Sequence, residues 1–476
     1  MNRLTPWQRS AGCALVLLAG LGGCARYEPR PLSAATNADA LDARTLADPR
    51  LATFLAAGLP GDATAPPGGP WNLPALTLAA LYFHPDLDVA RARLAGAQAG
   101  VITAAQRPNP SLGFQDLSYN TTNASPSPWT IAPTINFIIE TFDKRADRTA
   151  EAQQMREAAR ADLSATSWAV RGGVRTALLD LWASRRRLEL LRQRRALQAD
   201  LVGYLERAQA RGDASALDVS RERLAADQLE LAVRDADLQQ ADATARLATA
   251  IGIPVRSLAG TDICVAVFDQ PGPAASLPQA ALRREALLGR SDLQSMLAEY
   301  EAAQSALQLQ IARQYPDITL SPGYAYSAGA NMWLLLPLAE LPIFNQNQGP
   351  IAQARARRDE VAARFNALQA RIIGDIDRAS MTYAAATKAV DAADALLAEE
   401  GARADRVAHA RRVGEIGRPE LLTSEIERAA TRLSRLDALV RQRQALGALE
   451  DALEHPLFDP QSRIFAPQTS PRAVAG

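Results

Sequence analysis

Between Trp129 and Ile139 the odd positions are Trp129, Ile131, Pro133, Ile135, Phe137 and Ile139; the even ones are Thr130, Ala132, Thr134, Asn136 and Ile138. A period of two over that length predicts a strand with one apolar face and one small or polar face. Ile318, Leu320, Pro322, Tyr324 and Tyr326 alternate in the same way with Asp317, Thr319, Ser321, Gly323 and Ala325. Two further segments, Leu112 to Tyr119 and Met332 to Ala339, are less regular, and Asp116 breaks the first. Elsewhere the period lengthens. Opening helices are expected over Ala75 to Gln106, where Pro85 interrupts the pattern, and over Gln279 to Gln314. Long helices follow at about Lys144 to Ala210 and Ile351 to Val413, each on the order of 100 Å at the helical rise. Ile372, Ile376, Ala379, Tyr383, Ala386, Val390, Ala393 and Leu397 step by four and three, as do Leu422, Ile426, Ala429, Leu433, Leu436 and Val440. Leu217, Leu224, Leu231 and Leu238 recur every seven residues. Such stripes drive supercoiling against a partner helix.

The chain is written twice. His84-Pro85-Asp86-Leu87 aligns with Arg290-Ser291-Asp292-Leu293 at an offset of 206, and Pro110-Ser111-Leu112 with Pro316-Asp317-Ile318 at the same offset. Trp129 and Pro133 match Trp333 and Pro337 at 204; Phe142-Asp143, Gly172 and Gly212 match Phe344-Asn345, Gly374 and Gly414 at 202. The expected organisation is a first repeat over 73–253, a linker over 254–278, a second repeat over 279–453, and a tail over 454–476. An N-terminal segment over 24–72 precedes them. Each repeat contributes two strands, and four strands cannot close a membrane barrel, whose smallest version has about eight. Closure therefore demands more than one copy: two chains give eight strands, three give twelve and room for a channel.

Charge and composition narrow the function. Lys+Arg and Asp+Glu both number 52, so nothing draws the chain toward nucleic acid. Three Cys and three His offer no metal centre: His84, His409 and His455 lie far apart, with no ligand spacing. No nucleotide loop or nucleophile motif is present, so no enzyme, cofactor or metal site is expected. At the N-terminus, Arg3 and Arg9 precede the apolar run Ala11 to Leu21, which ends in Leu21-Gly22-Gly23-Cys24. That is the form of a secretory signal over 1–23, and Leu-Gly-Gly-Cys resembles the lipobox of bacterial lipoproteins. The resemblance makes Cys24 an acylated anchor and leaves Cys264 the lone remaining thiol.

The duplicated layout, the strand starts at Pro110 and Pro316, and the paired turns at Gly212 and Gly414 resemble the TolC-like outer-membrane factors. Ile139-Glu140-Thr141-Phe142-Asp143-Lys144-Arg145 is similar to the Glu-Thr-Gly-Gly-Lys-Arg stretch of the CzcC-type heavy-metal branch. Pro342-Ile343-Phe344-Asn345-Gln346-Asn347-Gln348-Gly349 is similar to that branch's Pro-Leu-Phe-Asn-Arg-Asn-Gln-Gly. The resemblance implies a mainly α fold with β: a homotrimer whose twelve-stranded outer-membrane barrel, four strands per chain, continues into a long periplasmic α-helical coiled-coil barrel. Trp129, Ile131, Ile135, Phe137, Ile318, Leu320 and Tyr324 would then face outer-membrane lipid. The turns carrying Arg211, Gly212, Asp218, Gly414, Arg418 and Glu420 would form the periplasmic tip that meets a membrane-fusion adaptor, itself coupled to an inner-membrane pump of the RND type. The implied function is a passive duct exporting metal cations. The alternatives are a multidrug or type I secretion duct, or a periplasmic coiled-coil lipoprotein scaffold without a pore.

Overall fold

The computed structural model describes residues 26–58, 69–121, 126–269 and 279–457. The signal segment and Cys24 lie outside them. Residues up to Arg44 form one compact unit. Its helix α1, Ala34–Asp42, begins where the Ser33 hydroxyl accepts from the Thr36 amide.

The second unit starts at Thr45 and holds both repeats. After α2 (Pro49–Gly58), the first repeat runs α3 (Leu73–Phe83), α4 (Pro85–Ala105), β1 (Ser111–Tyr119), β2 (Trp129–Ile139), α5 (Lys144–Ala210) and α6 (Ala216–Ile251). The second runs α7 (Gln279–Gly289), α8 (Ser291–Ala312), β3 (Ile318–Ser327), β4 (Ala330–Ala339), α9 (Gln348–Arg412) and α10 (Arg418–Leu453). Among the described residues no helix is long and apolar enough to cross a membrane.

Two expectations change. The opening helix of each repeat is two helices. His84 and Arg290, equivalent by the repeat, are both extended N-caps. Proline explains the first break, since Pro85 suits the first helical turn and no interior position. The second has no proline; instead the Glu454 carboxylate accepts from the Ser291 amide at 2.6 Å and from its hydroxyl, capping α8 from the far end of α10. The start of the long helices also shifts the alignment. Their N-caps Asp143 and Asn347, both left-handed at φ 59° and 62°, are the equivalent positions, rather than Asp143 and Asn345. The leucine ladder of α6, expected to face a partner helix, does not face α5 within the chain. Val219, Leu229, Val233 and Ala236 pack toward α5, while Leu217, Leu224, Leu231 and Leu238 are all exposed.

Besides the α5–α6 cluster of Leu188, Leu191, Leu229, Val233 and Ala236, two larger cores lie among the described residues. The larger gathers α3, the middle of α5 and the end of α6 around Leu76, Leu178, Leu181, Leu247 and Ile251. Leu51 and Leu55 of α2 enter it, and so do Ile253, Leu258, Ile263 and Phe268 from the segment between the repeats. Trp71 fixes that segment, donating to the Asp262 carbonyl (2.8 Å) and accepting from the Cys264 amide (3.0 Å). The smaller core joins α9 and α10 through Ile372, Ile376, Tyr383, Leu446 and Leu449.

Between the cores α5 crosses α10, and charge is buried there. Arg171 donates from Nη1 and Nη2 to Glu450 Oε2 at 3.3 and 3.4 Å, and lies over the Trp168 ring. Arg175 Nε is 3.7 Å from the same oxygen, and its Nη1 donates to the Arg443 carbonyl. Arg171, Arg175, Arg443 and Glu450 are all buried. The Arg175 guanidinium occupies the space above Gly447, where a β-carbon would stand 0.9 Å from Nη2.

Beside this crossing a cavity is lined by His84, Trp168, Asp180, Arg290, Asp451 and Glu454. Burial, the first cause in each case, raises the pKa of Asp180, Asp451 and Glu454 above the ordinary carboxyl value. A carboxyl raised in the folded state binds its proton more readily folded than unfolded. Its contribution is therefore full below the unfolded pKa and is lost as pH rises through the folded one. We expect Asp451→Asn to flatten the part of the stability profile that falls as pH climbs from the carboxyl range toward neutrality. Thermal unfolding of both proteins across that window checks it.

Candidate functional site

The residues singled out in the sequence fall in two regions, the sheet and the helix tips. The sheet is antiparallel in the order β1-β2-β3-β4, leaving β1 and β4 as free edges within the chain. Directly paired residues share a face, so the register sorts the side chains. On one side Leu112, Phe114, Leu117 and Tyr119 stand opposite Ile135, Pro133, Ile131 and Trp129. That side continues through Phe137 with Leu320 and Ile139 with Ile318, and then Tyr324 with Trp333. On the other, Gly113, Asp116 and Ser118 stand opposite Thr134, Ala132 and Thr130, and Thr134 opposite Gly323. The irregularity in β1 is a bulge between Phe114 and Asp116. One extra residue there returns Leu117 and Tyr119 to the face of Leu112.

On the two central strands, β2 and β3, every fully buried residue lies on the small or polar face. Trp129, Ile135, Phe137 and Ile318 are 41–47% exposed, with Ile131, Leu320 and Tyr324 half-buried, whereas Ala132, Thr134 and Ala325 are buried. Tyr119 packs its ring on Trp129 and Tyr324 on Trp333, each near edge-to-face, on the apolar side. The strands are 9, 11, 10 and 10 residues long, the length of a tilted strand that crosses a bilayer.

Where sheet meets helix, Lys144 donates to the Tyr315 carbonyl and to Asp317, each at 2.7 Å. Thr141 donates from its amide to Asp317 and from its hydroxyl to the Pro316 carbonyl. Arg148 forks onto Glu140. Phe142 and Asp143 sit here at φ 54° and 59°, the backbone that favours glycine, at the two positions where the resembling motif has glycines. The Phe142 ring stacks on Tyr315 at 3.9 Å.

The tips share one backbone. Gly212 and Gly414 both lie at φ 83°, and the next amide of each returns to a helix carbonyl, Asp213 to Ala208 and Glu415 to Ala410, at 2.9 Å. This is a left-handed helix stop with its six-to-one bond. Their side chains differ. Arg211 pairs with Asp213; Ser215 caps α6 by accepting from the Asp218 amide and donates to the Asp218 carboxylate at 2.6 Å. The other tip enters α10 from Gly417 with no side-chain cap; Arg418 and Pro419 open the helix, and Glu420 lies close over Gly417. Asp218 and Glu420 therefore each sit at a helix start, where a negative charge is favoured, and no hydrogen bond or ion pair joins them among the described residues. No cluster of His, Cys, Asp and Glu suited to a metal is found among those residues either.

Residues 77–253 match the family described as Outer membrane efflux protein. The chain is 27% identical over 328 residues to the cobalt-zinc-cadmium resistance protein CzcC of Cupriavidus metallidurans, covering 67% of this chain and 75% of that protein. It is 26% identical over 327 residues to the pyoverdine export outer membrane protein OpmQ of Pseudomonas aeruginosa, covering 62% and 64%. Among solved structures, the outer-membrane channel OprN superposes with a TM-score of 0.65 at 18% identity, over 80% of this chain and 89% of that one. CusC gives 0.64 at 18%, over 80% and 91%. VceC of Vibrio cholerae gives 0.65 at 20%, over 80% and 95%. The first repeat, over 77–253, thus matches the outer-membrane efflux proteins, and the doubled helices and four-stranded sheet of the chain have the TolC-like fold of these channels, which are not enzymes.

Proposed function

We propose that three copies of this chain form the outer-membrane duct of a tripartite efflux system. The observation that carries this is the sheet: four strands of membrane-crossing length, one apolar face, and two open edges. The helices repeat that edge arrangement. α5 packs against α6 and α10, and α10 against α9, so α6 and α9 are the outer members as β1 and β4 are. Edges of unlike repeats at the two ends make a head-to-tail contact, which closes into a ring. The leucine ladder of α6 would lie in that contact, against α9 of the next copy. Replacing Leu224 and Leu231 by glutamate should dissociate the trimer in detergent while leaving helix content unchanged, as light scattering and circular dichroism would show.

The tips carrying Arg211, Gly212, Asp218, Gly414, Arg418 and Glu420 would meet the periplasmic adaptor, which links the duct to an inner-membrane pump of the RND type. The likeness to a cobalt-zinc-cadmium resistance protein supports metal cations as cargo. Acylation at Cys24 after removal of 1–23 would add a lipid anchor. The division into repeats at 73–253 and 279–453, with 254–278 between them and 454–476 as a tail, is supported by the same order of helices and strands in each repeat.

The test is insertion and conductance. Purified protein should carry potassium current across a planar bilayer. Ile135→Arg should impair insertion more than Thr134→Arg, because a charge on the lipid face costs roughly 2–4 kcal/mol near the midplane while one in the lumen stays wet. A protein without current, or equal heat stability of the two variant trimers, would overturn the duct.

A further inference from the structure

β4 has two apolar faces. Trp333, Leu335 and Pro337 pair with Tyr324, Pro322 and Leu320 on the outward side. The alternate residues Met332, Leu334, Leu336 and Leu338 pair with Ala325, Gly323, Ser321 and Thr319, on the side that a closed ring turns toward its lumen. Their neighbours on β3 are small, and Met332, Leu336 and Leu338 are exposed while Leu334 is half-buried. β2 and β3 carry on that face mostly the small or polar residues expected of a wet wall.

Asp116 lies on the same inner face, opposite Ala132. It belongs to β1, the other edge of the sheet. Ring closure therefore sets the Asp116 carboxylate of one copy on the strand next to the leucine column of another. Each of three such seams would pair an apolar strip with a negative charge, separated by lanes of mostly small or polar residues. A hydrated metal ion gains nothing from leucine. A solute with an apolar body and a positive centre gains from both elements.

We propose that each seam is a binding strip for an amphiphilic organic cation, its apolar part on Leu334 and Leu336 and its charge toward Asp116. This rests on the duct reading and adds a second class of solute to the metal cations inferred above. The probe is tetraphenylphosphonium, with tetramethylammonium as a cation of the same charge and little apolar surface. Equilibrium dialysis against the full-length trimer in lipid nanodiscs, with empty discs subtracted, should show saturable tetraphenylphosphonium binding that tetramethylammonium does not displace. Leu334→Ser with Leu336→Ser should weaken it about tenfold or more; Asp116→Asn should weaken it several-fold. Leu334→Met with Leu336→Met, which keeps the apolar surface, should retain it. Absence of saturable binding, or equal binding by the serine variant, overturns the strip. A wild-type protein that is not trimeric or carries no potassium current fails earlier, as a duct, and is distinguishable from a conducting trimer that does not bind.

Discussion

Glu450→Ala should lower the unfolding temperature of the detergent-solubilised protein sharply, at a cost of about 3–5 kcal/mol. Glu450 is the carboxylate onto which Arg171 and Arg175 converge at the crossing of α5 and α10, and all three side chains are buried. Without it both guanidiniums lose the carboxylate they share, and the adjacent Asp451, which feels both, is left to balance two positive charges. The cost is that of unbalancing buried charge, not the net worth of the pair, which buried ion pairs often lack. The distinction can be measured. Arg171→Met together with Glu450→Met should recover part of the loss, because it removes a charge and its partner at once. If the single alanine variant unfolds with the wild type, the crossing is not held by charge.

Gly447→Ala should be nearly as damaging although it adds one methyl group. That methyl group would stand 0.9 Å from Arg175 Nη2 and 2.0 Å from Cζ. Exposed arginine would swing away at little cost; here the guanidinium is enclosed by α5 and α10 and aimed at Glu450. Either the helices separate, which overpacking prices at about 1–3 kcal/mol, or Arg175 leaves Glu450 and the ion-pair loss is added. Coupling decides between them. Arg175→Ala vacates the space, so Gly447→Ala should cost far less in that background than in the wild type, a non-additivity expected only for residues in contact. Additive effects in a double-mutant cycle would show that the slot over Gly447 is not filled by Arg175.

Much of the sheet could be read from the chain because a period of two needs no knowledge of neighbours. β2 and β3 alternate cleanly. β1 looked broken only because the bulge between Phe114 and Asp116 moves Leu117 and Tyr119 by one position. β4 was hard for the opposite reason: apolar on both faces, it has no alternation to read, and only its pairing with β3 tells inner from outer. The tips were legible from Gly212 and Gly414. The division of α7 from α8 was not, since its cap, Glu454, comes from 163 positions further on. The α6 ladder shows a different limit. A seven-residue repeat announces that a partner exists but not whether it belongs to the same chain. The charges at the helix crossing were invisible, because Arg171 and Arg175 sit among many arginines on long charged helices and nothing local marks them as buried.

The unfinished edges of β1 and β4 also have a genetic consequence. A ring built from such wedges is only as sound as its worst member, because each copy completes two neighbours. In a cell making normal and edge-damaged chains in equal amounts, with random mixing, only about one ring in eight would contain three normal copies. A lesion at either edge should therefore be dominant, whereas a lesion that unfolds the chain before assembly, such as one at Glu450, should be recessive.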